Sequence, residues 1–379
     1  MGSAPRTALA HRHAQIRRLL AQRTLGALVV TSLPNVLYLT NFTGSSAIVV
    51  ITADRLLFIT DSRYVTVVTD AQTTSSACPD LELVKVESSY DVALVDVLRE
   101  MGEQRVGFEA DHLPVSRHQW LAATLAGEGV TSELVPVEGL VEQARIVKDA
   151  HELAALTEAG RRLSKVASTI LHEVRAGREE RDVALAIDWA IRKAGFERSA
   201  FETIVAGGPN SALPHAHPGD RRFVEGDLVV LDFGGVYDSY CVDLTRTVSV
   251  GAASPRARKI HAAVLNARNN AIAAVKAGVS RFAVDSAARD TLAAAGMAAA
   301  FGHGTGHGLG IEVHEAPRIA PRRPGTDNTD DPLAVNTVFT IEPGAYFPGF
   351  GGVRIEDDVV VAEEGARLLT DVTTDLLEL

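Results

Sequence analysis

Two acidic residues, Asp232 and Asp243, flank a turn in the segment VVLDFGGVYDSYCVDLTRT. Asp232 lies in an apolar, strand-like run, where a carboxylate without a partner is costly to bury. If the turn is centred on Tyr237-Asp238, the segment forms a hairpin in which the two carboxylates lie directly opposite one another. Opposed residues have Cβ atoms about 4.5–5.5 Å apart. Carboxylates that close repel unless they are protonated or bridged by cations, so the hairpin predicts a cation-binding pair.

A second acidic pair has the same layout about 110 residues further along the chain. If this hairpin turns at Gly349, Glu342 and Glu356 each lie seven residues from the turn and face each other. Acidic side chains usually decorate exposed faces, and that is the plain alternative for any one of the four. The repeated layout favours metal binding instead. It also predicts two equivalent α/β halves, each contributing one hairpin to a shared centre.

A glycine-rich segment between the two hairpins supplies imidazole. It reads FGHGTGHGLG over 301–310, with His303 and His307 four residues apart. The alternating glycines disfavour a helix, so we expect a turn or a distorted strand. The HExxH zinc-protease signature is absent, and so is the Lys-Ser/Thr pair of a phosphate-binding loop. Ten of the 31 glycines fall between Gly302 and Gly352, which indicates close backbone approach to a ligand, several tight turns, or both.

Together, four carboxylates and one imidazole form a hard, mostly oxygen donor set. Such a set suits Mn²⁺, Fe²⁺, Co²⁺ or Zn²⁺ and balances the charge of two divalent ions. Paired ions of this kind activate a bridging water and stabilise a tetrahedral intermediate. The donor set therefore predicts a hydrolase.

The elements that must position these residues fall into two parts, which we divide into domains 1–142 and 143–379. The first part has the pattern of an α/β unit, with helical spacing at 12–23 and 91–102 and strand-like runs at 25–30 and 46–60, the latter broken at Ala53-Asp54. The second part is predicted to contain helices at 150–174, 179–194, 254–277 and 281–295 and a strand at 228–233.

Composition bounds the class of protein. The 379 residues include 37 basic and 48 acidic side chains, a net charge of −11, and 46% are hydrophobic. This composition excludes wholesale disorder, and the acidic balance argues against nucleic acid or an anionic membrane as the main partner. Two cysteines, Cys78 and Cys241, cannot form a disulfide framework. With no signal peptide or membrane-spanning run in the sequence, we expect a cytoplasmic protein.

These motifs resemble the pita-bread metallopeptidase family, specifically its prolidase and aminopeptidase P branch. The resemblance rests on PHAHPGD, LDFGGVYDSYCVDLTRT, HGTGHGLGIEVHEAP and IEPGAYFPGFGGVRIEDD, and on the order Asp, Asp, His, Glu, Glu. It is strong over about 145–379, whereas residues 1–140 resemble the N-terminal domain of that branch more loosely, through NVLYLTNFTGSSA and TDSRY. The resemblance implies an α/β (α+β) fold with a pita-bread catalytic domain of duplicated, pseudo-twofold halves. A smaller creatinase/prolidase-type α/β domain would precede it.

The same resemblance implies roles for individual residues. It implies two divalent metal ions per subunit, with Mn²⁺ expected first and Co²⁺, Zn²⁺ or Fe²⁺ as alternatives. The metal ligands would be Asp232, Asp243, His307, Glu342 and Glu356, of which Asp243 and Glu356 would bridge the ions. The remaining roles would be Glu342 as proton acceptor, His215 and His314 as donors to the scissile carbonyl and oxyanion, His303 in the substrate pocket, Arg354 orienting Glu356, and Arg318 binding the carboxylate of a dipeptide.

The resemblance further implies hydrolysis of Xaa-Pro bonds in dipeptides or short peptides. It also implies a homodimer in which a stretch with Tyr38, Asp61 and Arg63 lies near the partner's site. Cleavage of longer peptides, as in aminopeptidase P, is the nearest alternative. A metal-free amidinohydrolase of the creatinase type and a non-catalytic binding module are further alternatives, and the complete set of five ligands argues against both.

Overall fold

The computed structural model describes residues 3–322, 325 and 329–379. It divides the chain into two compact units, one ending at Arg145 and the other beginning at Ile146. Both combine helices with sheets, so the mixed α/β class expected from the sequence is confirmed. Within the described residues, none of the helices combines the length and the apolar character that crossing a bilayer requires.

The N-terminal unit is a six-stranded sheet flanked by helices. Its strand order is β4-β3-β2-β1-β5-β6, in which β1 pairs antiparallel with β2, and β2 with β3, while the other pairs are parallel. The strands are β1 Ala27–Val30, β2 Ile48–Thr52, β3 Leu56–Thr60, β4 Leu81–Lys85, β5 Arg105–Glu109 and β6 Glu133–Val137. The helices are α1 Arg6–Gln22, α2 Leu33–Thr40, α3 Val65–Ala71, α4 Tyr90–Met101, α5 Val115–Gly127 and α6 Leu140–Arg145.

Tyr38 does not suit a role at a partner's site. Its side chain is only 2% exposed, its hydroxyl donates to the Ala144 carbonyl, and the Arg12 guanidinium lies over its ring. Arg63 is exposed and pairs with Asp61. Tyr38, one of the three residues named for the stretch near a partner's site, therefore belongs to the core of its own unit.

Within its described residues, the C-terminal unit contains two larger sheets and four long helices. One sheet has the order β10-β9-β7, with β8 also paired to β9; the other has the order β12-β11-β13-β16-β17; β14 and β15 form a separate hairpin. The helices are α7 Ala150–Ile170, α8 Glu180–Lys193, α9 Pro255–Ala274 and α10 Arg281–Ala294. The strands are β7 Arg198–Ser199, β8 Ile204–Gly207, β9 Leu228–Tyr237, β10 Tyr240–Ser249, β11 Gly306–Gly308, β12 Glu315–Ile319, β13 Val338–Ile341, β14 Gly344–Phe347, β15 Gly351–Arg354, β16 Asp357–Ala362 and β17 Gly365–Leu368.

Local sequence signals explain where these helices begin and what they cover. α7 starts at a capping box in which Asp149 accepts from the Glu152 amide and Glu152 accepts from the Asp149 amide. In the second half of the unit, α9 and α10 bury apolar stripes against β13 and β16, in one cluster that includes Val264, Leu292 and Phe339. This core holds the sheet that carries the second pair of acidic residues.

Candidate metal centre

The first acidic pair lies on the long hairpin of β9 and β10, but not in the predicted register. Asp243 pairs with Gly234, and Asp232 pairs with Thr245, so the expectation that the two carboxylates are directly opposed is wrong. The turn is centred on Asp238-Ser239, one residue later than predicted, and both turn residues have positive φ. Asp232 and Asp243 are instead diagonal neighbours on one face of the hairpin, still within reach of a shared ion.

The second acidic pair follows the predicted register. Ile341 pairs with Asp357, and Gly344 pairs with Arg354, so Glu342 and Glu356 lie opposite one another between two consecutive ladders. Both ladders turn about Gly349, whose positive φ of 79° suits glycine. The prediction that these two glutamates face each other is therefore confirmed.

His307 lies on β11, a three-residue strand with a register shift directly after it. The expected distorted strand is thus confirmed. The Nε2 atom of His307 lies 3.9 Å from Asp243 Oδ2 and 3.9 Å from Glu342 Oε1. Neighbouring Gly306 has no room for a side chain, because a Cβ there would collide with the Thr340 carbonyl of the adjacent strand. Glycine in this segment therefore lets the backbone that carries the imidazole approach the next strand closely.

The donor atoms of three of these residues converge on one point. One ligand atom each from Asp243, His307 and Glu356 lie within 4.8 Å of one another. Buried carboxylate oxygens of Asp232, Asp243 and Glu356 lack a hydrogen-bond partner among the described residues. Since a buried carboxylate oxygen is costly to leave unpaired, these orphaned atoms fit a site for divalent cations.

Electrostatics lead to the same conclusion. Burial, together with the charges of Glu356 and Asp232, raises the pKa of Asp243 well above its usual range. Burial and the charge of Glu342 do the same for Glu356, and burial raises the pKa of Glu342 to about 8. Burial lowers the pKa of His307 to about 4, which leaves its imidazole neutral and able to bind metal. Without cations, these like charges would oppose one another.

Arg354 connects the two acidic pairs. Its guanidinium donates to Asp232 Oδ2 at 2.5 Å, to the Thr245 hydroxyl at 3.2 Å and to the Tyr346 hydroxyl at 2.9 Å. Thr245 in turn donates to Glu356 Oε2 at 2.6 Å. The sequence suggested that Arg354 orients Glu356; in the structure its link to Glu356 runs through Thr245, and its direct carboxylate partner is Asp232.

The centre opens into a cavity of about 680 Å³. Phe201, Ile204 and Val313 provide apolar parts of its wall. All ten residues that the sequence singled out for the site line this cavity: Asp232, Asp243, His307, Glu342, Glu356, His215, His303, His314, Arg318 and Arg354.

Two of the three additional histidines make contacts beside the candidate ligands, and the third, His215, lines the cavity wall. The His314 ring lies 4.3 Å from that of His307, centroid to centroid. His303 contacts the Gly304 carbonyl through Nδ1 at 2.8 Å and the Tyr346 hydroxyl through Nε2 at 2.9 Å, and burial lowers its pKa to about 4. Its Nδ1 therefore carries the proton and Nε2 accepts from Tyr346. His303 thus both braces its own glycine turn and lines the cavity.

Comparison with known proteins identifies the chain's family. The family model described as "Metallopeptidase family M24" matches residues 154–363, more than half of the chain. The protein is a member of metallopeptidase family M24. A second model, described as "Creatinase/Prolidase N-terminal domain", matches residues 12–147. The family identifies the chain as a hydrolase, and it supports the fold inferred from the motifs.

Several relatives of this M24 peptidase are similar over nearly their whole length. A Xaa-Pro dipeptidase from Pyrococcus furiosus is 33% identical over 82% of this chain and 88% of its own. The solved structure of a Xaa-Pro dipeptidase from Bacillus anthracis is 34% identical, with a TM-score of 0.90, over 98% of this chain and 100% of that one. An X-Pro aminopeptidase structure from Thermotoga maritima is 32% identical, with a TM-score of 0.84, over 97% and 99% of the two chains.

Sequence reasoning missed three residues that contact the candidate site of this M24 peptidase. Thr245 and Tyr346 complete the Arg354 network, and Asp358 accepts from the Asp243 amide at 2.9 Å. A signal for two of them was available. Thr245 lies two residues after Asp243 and Asp358 two after Glu356, so each shares a strand face with a proposed ligand. Tyr346 had no such signal, because its role depends on contacts with His303 and Arg354.

Proposed function

We propose that this M24 peptidase hydrolyses the Xaa-Pro bond of dipeptides with two divalent metal ions. The observation that carries the proposal is the convergence of donor atoms from Asp243, His307 and Glu356, with orphaned carboxylate oxygens, in a cavity that Asp232, Glu342 and an exposed arginine also line. The similarity to Xaa-Pro dipeptidases from Pyrococcus furiosus and Bacillus anthracis supports the same substrate class. Hydrolysis of a Xaa-Pro dipeptide should stop on chelation and return with added Mn²⁺ or Co²⁺; activity that persists in chelator would contradict the proposal.

The residues that would hold the ions are Asp232, Asp243, His307, Glu342 and Glu356. In three of them one carboxylate oxygen is left without a partner, whereas Arg354 and Thr245 hold the other oxygen of Asp232 and Glu356. Each of these two carboxylates is thus fixed by one atom and free to coordinate with the other. We propose Mn²⁺ first, because the donors are mostly hard oxygens, with Co²⁺, Zn²⁺ or Fe²⁺ as alternatives. When bound, such ions supply the Lewis acidity that activates water and polarises a peptide carbonyl.

The chain's own residues handle the proton and the developing charge. Glu342 accepts a proton from the attacking water and then donates this proton to the prolyl nitrogen. The nitrogen must be protonated before the C–N bond breaks. His215 and His314, both on the cavity wall, donate hydrogen bonds to the scissile carbonyl and to the oxyanion that forms from it. His303 shapes the substrate pocket as a neutral ring held by Gly304 and Tyr346.

Arg318 is the proposed determinant of substrate length. In the ladder of β11 and β12 it pairs directly with His307, so its side chain leaves the strand on the same face as the metal-binding imidazole. It is exposed and lines the cavity. A guanidinium suits a carboxylate because it can donate two parallel hydrogen bonds. We therefore assign it to the C-terminal carboxylate of a dipeptide.

We expect Arg318→Ala to raise KM for a Xaa-Pro dipeptide about tenfold or more, with a small change in kcat, since a charge-assisted hydrogen bond contributes about 1.5–3 kcal/mol. The corresponding dipeptide amide, which lacks the carboxylate, should be hydrolysed equally by variant and wild type. Arg322→Ala serves as the matched control, because Arg322 is exposed and pairs with Asp330 outside the cavity. An unchanged KM for the free dipeptide would exclude this role for Arg318.

We also propose a cytoplasmic homodimer. The two cysteines are buried and unpaired, which suits a reducing compartment, and the exposed side chain of Arg63, which pairs with the partly buried Asp61, is accessible to a partner. Sedimentation should give twice the mass of one chain; a purely monomeric species that retains full activity would contradict the homodimer.

A further inference from the structure

Helix α10 carries a carboxylate on the face that packs into the core. Asp285 is 1% exposed and follows Val284, one of the apolar residues of that face. Arg289, one turn later, donates to Asp285 Oδ2 at 2.7 Å and to Oδ1 at 3.1 Å. A buried ion pair costs desolvation energy unless its remaining hydrogen-bonding capacity is satisfied. The groups that satisfy it indicate what the pair does.

Those groups all belong to residues 301–305, the first half of the glycine-rich segment 301–310. Thr305, which is fully buried, donates its amide to Asp285 Oδ1 at 3.2 Å and its hydroxyl at 2.8 Å. Arg289 donates to the carbonyls of Phe301 and His303, and its guanidinium lies 4.4 Å from the centroid of the Phe301 ring. Three of the residues 301–305 are therefore bound to one ion pair on one helix.

From Thr305 the contacts continue directly to the proposed ligands. The Thr305 carbonyl accepts from the Glu342 amide at 2.7 Å, and His307 lies two residues further along the chain. With glycine at 302, 304 and 306, the segment has little intrinsic stiffness. External hydrogen bonds must therefore hold the backbone that presents the imidazole and the carboxylate.

We propose that Asp285 and Arg289 are positioning residues, which set His307 and Glu342 in the geometry that binds metal by fixing Thr305. The inference rests on the proposed metal-binding function. It assigns to α10 a role that the motifs around the ligands do not show. Neither residue lines the cavity, so both act through the glycine-rich segment and not on the substrate.

Mn²⁺ affinity of the metal-free protein, measured by electron paramagnetic resonance without substrate, tests this proposal. Partners that orient metal ligands typically contribute 10–100-fold in affinity, so we expect Asp285→Asn to weaken Mn²⁺ binding about tenfold and Asp285→Ala more. Asp290→Asn, the same change at an exposed position of α10, should bind like wild type. Wild-type Mn²⁺ affinity in folded Asp285→Asn would overturn the inference.

If Asp285→Ala fails to fold, a second pair of variants, at Thr305, tests the positioning role. Thr305→Val removes the hydroxyl donor while nearly keeping the side-chain shape, and Thr305→Ser restores the donor. We expect Thr305→Val to weaken Mn²⁺ binding and Thr305→Ser to retain most of it. A merely structural role would lower the melting temperature of Thr305→Val and leave its Mn²⁺ affinity unchanged, which would contradict the proposal.

The two proposals fail in distinguishable ways. Because the Mn²⁺ titration contains no substrate, lack of Xaa-Pro hydrolysis would contradict the proposed function and leave the positioning role standing. Wild-type protein that binds no Mn²⁺ would contradict the metal centre itself. Unchanged affinity in the Asp285 and Thr305 variants would contradict the positioning role alone.

Discussion

Replacing Asp243 by Asn should reduce Xaa-Pro hydrolysis by at least about 10³-fold, a loss of ~4 kcal/mol in transition-state stabilisation. Asp243 is 5% exposed, its Oδ1 has no partner among the described residues, and its Oδ2 lies 3.9 Å from His307 Nε2. An amide offers one neutral oxygen where a carboxylate would offer two charged ones to the ions. The backbone contact from Asp243 to Asp358 does not involve the altered group, so the fold should persist.

Thermal unfolding of the same variant provides a readout independent of turnover. Metal-free Asp243→Asn should be at least as stable as metal-free wild type, because one of several mutually repelling carboxylates is removed. Added Mn²⁺ should raise the melting temperature of wild type, since a ligand that binds the folded state stabilises it, but should barely change that of the variant. Asp182→Asn, at an exposed position of α8, is the matched control. If Mn²⁺ raises the melting temperature of Asp243→Asn as much as that of wild type, Asp243 is not a metal ligand.

Arg354→Lys should lower kcat about 10²-fold with little change in KM. The guanidinium reaches Asp232, Thr245 and Tyr346 at once, and a lysine ammonium cannot reproduce that planar arrangement of donors. Asp232 would lose its close partner, and the hydroxyl that holds Glu356 would lose one restraint. Arg354 is 4% exposed, so Arg354→Ala would leave buried charge unpaired and destabilise the fold by about 3–5 kcal/mol.

Tyr346→Phe is the graded comparison for Arg354→Lys. It removes the hydroxyl between Arg354 and His303 but leaves the contacts of Arg354 with Asp232 and Thr245 in place. We therefore expect a smaller loss in kcat than in Arg354→Lys, about tenfold, since the two hydrogen bonds that the hydroxyl makes, one with the Arg354 guanidinium and one with neutral His303, do not involve a proposed metal ligand. Wild-type kcat in folded Arg354→Lys would show that the network does not position the metal ligands.

How far the sequence predicts the centre depends on the turns. At Gly349 the residue type matches the positive φ that the turn requires, and the predicted register of Glu342 and Glu356 is correct. At Asp238-Ser239 two residues other than glycine adopt positive φ, which residue type signals weakly. The predicted turn centre is one residue too early, so the predicted direct opposition of Asp232 and Asp243 is wrong. A one-residue error in a turn centre shifts every cross-strand pair of its hairpin.

The contacts around the donors were harder to predict than the donors themselves. His307 and the four carboxylates stand out because their types and spacing are unusual in apolar or glycine-rich segments. Tyr346 and Asp285 reach the centre through tertiary contacts, and in the sequence they resemble an ordinary strand aromatic and an ordinary helix acid. Burial and the partners at each atom distinguish them, and neither is encoded by spacing along the chain.

The most direct test of the account is hydrolysis by chelated protein after Mn²⁺ or Co²⁺ is added back, comparing a Xaa-Pro dipeptide with a Xaa-Pro tripeptide. We predict metal-dependent cleavage of the dipeptide and little cleavage of the tripeptide, because we propose that Arg318, which lines the cavity, binds the C-terminal carboxylate of the dipeptide. Preferential cleavage of the tripeptide would contradict the assignment of Arg318 and indicate an aminopeptidase acting on longer peptides. Absence of metal-dependent turnover of either peptide would contradict the proposed Xaa-Pro activity altogether.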